Sequence, residues 1–416
     1  MTFSQSSGNA EGSPTLSGLR VLDMSRVLAG PYCCQMLGDH GADVIKIESP
    51  HGDDTRGFAP PHVPSGASAY YAGVNRNKRN LCLDLSTDTG QSVLRKLISS
   101  ADVLVENFKP RTLDRWGFGY EALSKEYPGL VYCRITGYGD HGPLGGRPGY
   151  DAILQAYGGL MSVNGETDGG PLRVGVPIVD LVTGIHAFAG VLLALQARAV
   201  TGRGQLVDCA LLDTAVSLLH PQSASWLADG KVPPRTGSAH PTIAPYDRFE
   251  TAAGPFFISA ANDRQFRSLI DVLGAPELAL DERFATNSAR VTHVADLKAE
   301  LTRLVQRWDP VSLAEKLLEV GVPATPVNDV SQALSSEQVA YRDMVVEIGD
   351  YRGVGVPIKL SETSGRVEVP PPPLGQDTRA VLAEAGIKDV EIERLLKLRV
   401  AFECQDPAAT QVAPME

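Results

Sequence analysis

The chain carries none of the spacings that usually announce a metal, a disulfide framework or a bound phosphate. Its six cysteines (Cys33, Cys34, Cys82, Cys133, Cys209 and Cys404) include no C-x-x-C pair, so they read as reduced, mostly buried thiols of a cytoplasmic protein. The eight histidines form no helical ligand pair, and H-E-x-x-H, G-x-S-x-G and G-x-x-x-x-G-K-[ST] are all missing. The turn at 23–30 lacks G-x-G-x-x-G. These absences weigh against a zinc hydrolase, a serine hydrolase, a kinase and a dehydrogenase. Positive charge is also short: 38 Lys and Arg stand against 49 Asp and Glu, a net charge of −11. Nucleic-acid binding usually demands the opposite balance, so no nucleic-acid partner is expected.

Met1 to Gly18 contain no Lys or Arg, unlike a signal or transit peptide, and a disordered tail is expected over 1–17. The longest apolar run, Leu181 to Ala197, is shorter than the roughly 20 residues that span a bilayer. It also contains Thr183, Gly184 and His186. A buried helix is expected there, and no membrane partner.

What remains is a chain of 416 residues, 43% hydrophobic and 21% charged, with room for two domains. Strand and helix signals alternate from the start. Leu19 to Asp23 reads as a strand, Pro31 opens a helix to about Leu37, and Ala42 to Glu48 is the next strand. Asn80 to Leu85, Asp102 to Glu106 and Val131 to Thr136 follow as strands, with Ser86 placed to cap an intervening helix. This alternation implies an α/β fold, a Rossmann-like parallel sheet covered on both faces. The pattern changes near 225. A large domain over 18–225, a smaller α+β domain over 226–330, a return to the large domain over 331–403 and a disordered tail over 404–416 are expected. The large domain is thus built from both ends of the chain.

Ligands of such folds sit beyond the carboxyl ends of the strands. Those ends carry Ser25–Gly30, Asn107–Pro110 and Gly137–Gly139. Two basic clusters lie at strand edges: Arg76, Lys78 and Arg79, and Lys109, Arg111 and Arg115. Either can hold the phosphates of a nucleotide-bearing ligand, or simply be a solvated charge run. A third feature is the segment Val174–Gly184, in which Asp180 opens the apolar helix. Asp at such a place is commonly an N-cap. A helix N-terminus also favours the ionised carboxylate, and glycine amides can stabilise an oxyanion, so a nucleophile suits the same position.

From about Leu16 to Phe402 the chain resembles the family III CoA-transferases of the CaiB/BaiF type. The resemblance rests on LRVLDMSRVLAGP, GADVIKIE, GDDTRGF, NRNKRNLCLDL, VENFKPRTLDRWGFGY, ITGYGDHGP, GYDAILQAYGGL, VDLVTG, TGRGQLVDCALLD and PPPPLGQDT, in that order. It implies that Asp180 is the nucleophile and that coenzyme A, as a thioester substrate and not a resident cofactor, contacts Arg26, Val27, Leu28, Ala29, Val74, Asn75, Arg76, Asn77, Lys78, Asn107, Phe108, Lys109 and Arg115. It implies no metal, and an interlocked homodimer. Ser49 stands where formyl-CoA transferase has an arginine beside the adenine, so adenine stacking is expected to differ or to be taken over by a neighbour such as Arg56 or Arg79.

The family's mechanism needs no general base, because a carboxylate of ordinary pKa is ionised at neutral pH. A racemase on the same fold pairs the aspartate with a histidine thirty residues earlier. Here that position is Tyr150, a poor proton acceptor, followed by Asp151. A formyl-CoA:oxalate type of transferase and a non-catalytic CoA-binding regulator are further alternatives. Within the family the sequence resembles the succinyl-CoA:glutarate type, in DTRGFAPPHV, GPLGGRPGYDA, PLRVGVP and RTGSAHPTIAPYDRFETAAG. That likeness implies a small dicarboxylic acid as acceptor and succinyl-CoA or a similar acyl-CoA as donor. The acceptor's second carboxylate needs donors, and Arg173, Arg235, His240 and Tyr150, with the neighbouring Asp151, are the candidates.

Overall fold

Short runs of Val, Ile and Leu build the sheet, because strands covered on both faces must be apolar throughout. A computed structural model describes residues 13–404. The expected tails lie outside these except at Ser13–Ser17 and Cys404. Ser17 N–H donates to Pro14 O in a turn, and Leu16 is buried.

Six parallel strands form the core: β1 (Arg20–Asp23), β2 (Asp43–Glu48), β3 (Lys78–Leu83), β4 (Val103–Glu106), β5 (Val131–Thr136) and β6 (Leu206–Ala210). Two further antiparallel pairings lie elsewhere, β7 (Tyr246–Thr251) with β8 (Gly254–Ser259) and β9 (Ala324–Pro326), and β10 (Val345–Ile348) with β11 (Tyr351–Val354). The last strand, β12 (Ala401–Phe402), returns to pair antiparallel with β3. The seven-stranded order is β12-β3-β2-β1-β4-β5-β6. The α/β class and the return of the chain's far end to the first sheet are as the sequence implied. Strand order reverses between β1 and β4, which places the ligand crevice at their carboxyl ends.

The chain divides into two compact units. Among the described residues one comprises 13–158, 175–218 and 337–404, the other 159–174 and 219–336. The first packs Leu22, Ile45, Leu81, Leu94, Leu104 and Tyr132 into one core; the second packs Phe249, Phe256, Phe266, Leu269, Leu301 and Leu313 into another. The short excursion at 159–174, which the sequence pattern placed in the large domain, clusters with the second unit. There Gly237 N–H donates to Gly165 O at 3.1 Å.

Helix α1 (Ala29–Asp39) follows β1 and α2 (Asp88–Ile98) follows β3. Thr87, and not Ser86, caps α2, its side chain accepting from Gly90 N–H. Helix α3 (Asp151–Tyr157) precedes the long α4 (Ile178–Thr201). Helix α4 is long and apolar enough to cross a membrane by length and composition alone. The expectation that it would be buried needs correction. Val179, Thr183, Ala187 and Val191 are buried, but Ile185, Leu193 and Val200 are exposed.

Unexpectedly for such a sheet, β2 and β3 each bury a lysine. Lys78 Nζ, fully covered, donates to Asp23, to the Pro31 carbonyl and to Asn75, each at 2.8 Å. Removing one partner of a buried pair strands the other in low dielectric, which costs about 3–5 kcal/mol. Replacing Lys78 by Met is therefore expected to lower unfolding stability by about that amount, as read from denaturant midpoints at constant slope.

Candidate active site

Four chain segments meet at the strand-order reversal: the β1–α1 loop, the turn after β4, the segment after β5, and the N-terminus of α4. They line a cavity of about 210 Å³ that includes Arg26, Val27, Leu28, Ala29, Asn107, Phe108, Gly137, Arg147, Tyr150 and Asp180. A larger cavity, about 500 Å³, adjoins it. The two share Arg26, Phe108 and Lys109. On the far side the larger one reaches Lys46, Ser49, His51, Leu85, Ser86 and Trp116.

Glycines bring the walls together. A Cβ on Gly184 would sit 2.7 Å from the Ala29 carbonyl oxygen, so only glycine lets α4 lie this close to the start of α1. A Cβ on Gly137 would likewise meet Gly149 N at 2.7 Å.

Asp180 is not the helix cap. Pro177 holds the N-cap position of α4 without a side-chain cap, and Asp180 stands three residues in. The capping task falls to Asp151 on α3. One of its oxygens accepts from Val179 N–H at 2.8 Å and from Asp180 N–H at 3.2 Å, and the other from Gln155 Nε2 at 2.6 Å. Asp151 thus answers the unpaired N–H groups at the start of a helix. Asp180's own carboxylate has no hydrogen-bond donor among the described residues. Burial, and then the Asp151 charge beside it, push its pKa up to about 7. The expectation of a carboxylate ionised like any other at neutral pH is corrected accordingly. Tyr70, which sequence reasoning passed over, is raised by burial and then by the charges of Asp180, Asp151 and Asp53. No motif marks Tyr70, so only the folded chain reveals it. Arg147, a second residue missed, lines the Asp180 cavity.

The residues expected to hold coenzyme A fall into two groups. Arg26, Val27, Leu28, Ala29, Asn107, Phe108 and Lys109 line the paired cavities. Val74, Asn75, Arg76, Asn77, Lys78 and Arg115 line neither. Arg76 is buried against Asp39 in a bidentate pair at 2.9 and 2.8 Å and also donates to the Val354 carbonyl. Asn77 binds Asp39 and the 366–369 backbone. Val74 and Asn75 are buried, and Asn75 serves Lys78. Among the described residues the Arg115 side chain bonds only the Arg111 carbonyl, at 3.3 Å. Two members of the first basic cluster, Arg76 and Lys78, are therefore turned inward, their charges met by the buried Asp39 and Asp23, while Arg79 pairs nearer the surface.

Neither expected substitute for the arginine missing at Ser49 reaches the cavity. Arg56 forks onto Glu48 at 2.8 and 2.7 Å and lies 3.8 Å over the Tyr71 ring. Arg79 is tied to Asp43 and Glu384. The acceptor candidates divide as well. Tyr150 lines the Asp180 cavity and is 67% exposed, and Asp151 is buried. Arg173, Arg235 and His240 belong to the second unit. There Arg235 donates to Gly169 O at 2.6 Å while its Nε is buried without a partner. His240 Nδ1 accepts from Thr242 N–H at 3.2 Å. Among the described residues no cluster of His, Cys, Asp and Glu can hold a metal.

A desolvated, unpartnered carboxylate at the end of the crevice of an open α/β sheet is a group suited to an enzyme's nucleophilic chemistry. The family model for CoA-transferase family III matches residues 16–378. The succinate–glutarate CoA-transferase of Agrobacterium fabrum is 42% identical over 382 residues, 89% of this chain and 96% of that protein. The succinyl-CoA:glutarate CoA-transferase of Mus musculus is 38% identical over 392 residues, 92% and 89% of the two chains. A CaiB/BaiF family protein from Brucella suis superposes with a TM-score of 0.83 at 42% identity, covering 90% of this chain and all of that one. The chain belongs to CoA-transferase family III, and it is a transferase.

The raised pKa has a consequence for stability. A carboxyl whose folded pKa lies above its unfolded value of about 3.9 favours folding when protonated. That contribution is complete below about pH 4 and lost as pH rises through about 7. The D180N variant should therefore gain thermal stability over the native chain at pH 8, and gain less at pH 5. Melting curves at the two values check this; an equal or reversed difference contradicts the burial of a charged pair.

Proposed function

We propose that the enzyme moves coenzyme A from succinyl-CoA to a small dicarboxylic acid such as glutarate, itaconate or citramalate, with Asp180 as nucleophile. The observation that carries the chemistry is the Asp180 carboxylate, unpartnered at the end of the smaller cavity. Relatives named as glutarate transferases support the choice of acids. The nucleotide of the thioester would lie in the larger cavity, near Lys109 and Trp116, with its pantetheine arm running past Phe108 and Asn107 toward Asp180.

Attack by Asp180 on the thioester carbonyl forms a C–O bond and expels CoA thiolate, leaving a mixed anhydride. The thiolate then attacks the Asp180 carbonyl of that anhydride, releases succinate and leaves an aspartyl-CoA thioester. The acceptor acid repeats the two steps in reverse. Donor and product thioesters have similar energy, so no nucleotide hydrolysis is needed. Asp151 keeps its place by capping α4 and raises the energy of the Asp180 anion, which strengthens it as a nucleophile once ionised. Closely packed walls at Gly137, Gly149 and Gly184 suit the exclusion of water from the anhydride.

The protein would act in the cytoplasm as an interlocked homodimer. Support for a second copy comes from the exposed apolar side chains Ile185, Leu193 and Val200 on α4 and Ile153 and Tyr157 on α3, more than a solitary helix face leaves in water. Light scattering is expected to give twice the chain mass for the native protein and a shift toward the single mass for L193D.

With succinyl-CoA as donor, an acceptor panel should favour five- and four-carbon diacids over oxalate and monocarboxylates. Activity should fall as pH drops through about 7, because the protonated acid cannot attack. The D180A variant should lose at least about a thousandfold in kcat, and mass spectrometry of quenched native enzyme should find CoA on the peptide bearing Asp180. Full activity in D180A, or turnover restricted to oxalate or monocarboxylates, defeats the mechanism or the substrate assignment respectively.

A further inference from the structure

The loop between β1 and α1 is gripped at five consecutive backbone groups. Ser25 N–H donates to Asp23 at 3.0 Å, and the Ser25 carbonyl accepts from Lys46 Nζ at 2.9 Å. The Asn107 amide takes both the N–H and the carbonyl of Arg26, at 2.9 and 2.7 Å. Val27 N–H then lies 3.2 and 3.3 Å from the two oxygens of Asp53. The gripping side chains come from the ends of β1 and β2, the turn that follows β2, and the turn that follows β4.

Val27 has φ +70°. A β-branched side chain is strained in the left-handed region and stays there only when its surroundings over-determine it. Asp53 does that over-determining. Besides Val27 it binds Lys46 Nζ at 3.0 Å, Thr55 N–H at 3.0 Å and the Thr55 hydroxyl at 2.8 Å. The Asp53 and Lys46 side chains are 1% and 0% exposed. A buried pair of this kind contributes little to stability compared with apolar residues of the same volume. Geometry is therefore the better account of its presence. The loop it holds lines both cavities, Ser25 and Arg26 the larger and Arg26 to Ala29 the one with Asp180.

We propose that Asp53, braced by Lys46, is a positioning residue that holds Val27 in the left-handed conformation and so aims Arg26–Ala29 at the group Asp180 attacks. It acts through the backbone, its carboxylate being spent on Val27, Lys46 and Thr55. The proposal rests on the CoA-transfer reading for what the loop is aimed at, and on the hydrogen bonds alone for the clamp.

A double-mutant cycle tests it, with D53A, V27G and the double variant assayed for succinyl-CoA to glutarate transfer and melted in parallel. Glycine adopts the left-handed conformation without strain, so it should make the Asp53 hold less necessary. In the native background D53A is expected to lower kcat by about ten- to a hundredfold, the scale of a misplaced reacting group. In the V27G background the same change should cost no more than about threefold, and V27G should recover part of the fall in Tm. A merely structural carboxylate would cost the same in both backgrounds, and equal losses overturn the proposal. A D53A chain that unfolds and is not restored by V27G overturns it too. If the native enzyme shows no CoA transfer, the functional reading fails instead, and non-additivity of the four melting temperatures alone decides the clamp.

Discussion

Two buried lysine–aspartate pairs beneath the β1–α1 turn, Lys78 with Asp23 and Lys46 with Asp53, are the constraint on which the rest of the crevice depends. Charges inside a parallel sheet are costly unless every lone pair and proton is used. Here they are used. Asp23 also accepts from Ser25 N–H and its hydroxyl, and Lys78 holds Asn75 and the start of α1 through the Pro31 carbonyl. Opposing charge keeps Asp53 ionised despite its burial, with a pKa of about 2. Glu48, two residues beyond Lys46 on β2, extends the same network through Arg56, Asn80 and Tyr71. The outcome is a loop whose path is set by electrostatics where an ordinary βα turn is set by glycine.

Against this rigid wall stands a carboxylate treated in the opposite way. Asp53 is surrounded by cations and donors; Asp180 is given none. Its neighbour Asp151 takes the N–H groups at the start of α4, where a cap is needed, and leaves Asp180 with desolvation and a like charge. Both effects destabilise the anion, which is a cost to folding and an advantage to a nucleophile. Gly184 makes the arrangement possible by letting α4 press against Ala29, so that the unstabilised acid faces the stabilised loop.

Much of the architecture was legible because strands buried on both faces can only be apolar runs. LRVLD, ADVIKIE, DVLVE and VYCRIT each became the strand that their composition implied. Family membership was legible from many ordered motifs. Side-chain destinations were not. Arg76 and Lys78 look like a phosphate site because they are basic and lie at a strand edge, yet both are turned inward to Asp39 and Asp23, residues 37 and 55 positions away. Arg56 and Arg79 offered themselves for the place vacated at Ser49, and both are occupied by carboxylates elsewhere in the chain, Arg56 by the buried Glu48 and Arg79 by Asp43 and Glu384 nearer the surface. The helix run at 181–197 reads as buried from composition, but hydropathy cannot tell a core face from one left open along a single chain.

By itself the sequence determined the α/β class and the place of an aspartate at the start of an apolar helix, which follow from periodicity and local order, and the transferase family, which follows from the resemblance of many motifs in order. Tertiary structure alone decided that Asp151 caps that helix while Asp180 does not. It also decided that Asp180 titrates near neutrality and that Asp53 reaches back 26 residues to Val27. The reason is one of range. Hydrophobic pattern and turn chemistry act over a few neighbouring residues, whereas burial and the partner of a charge depend on which strand ends the fold brings side by side.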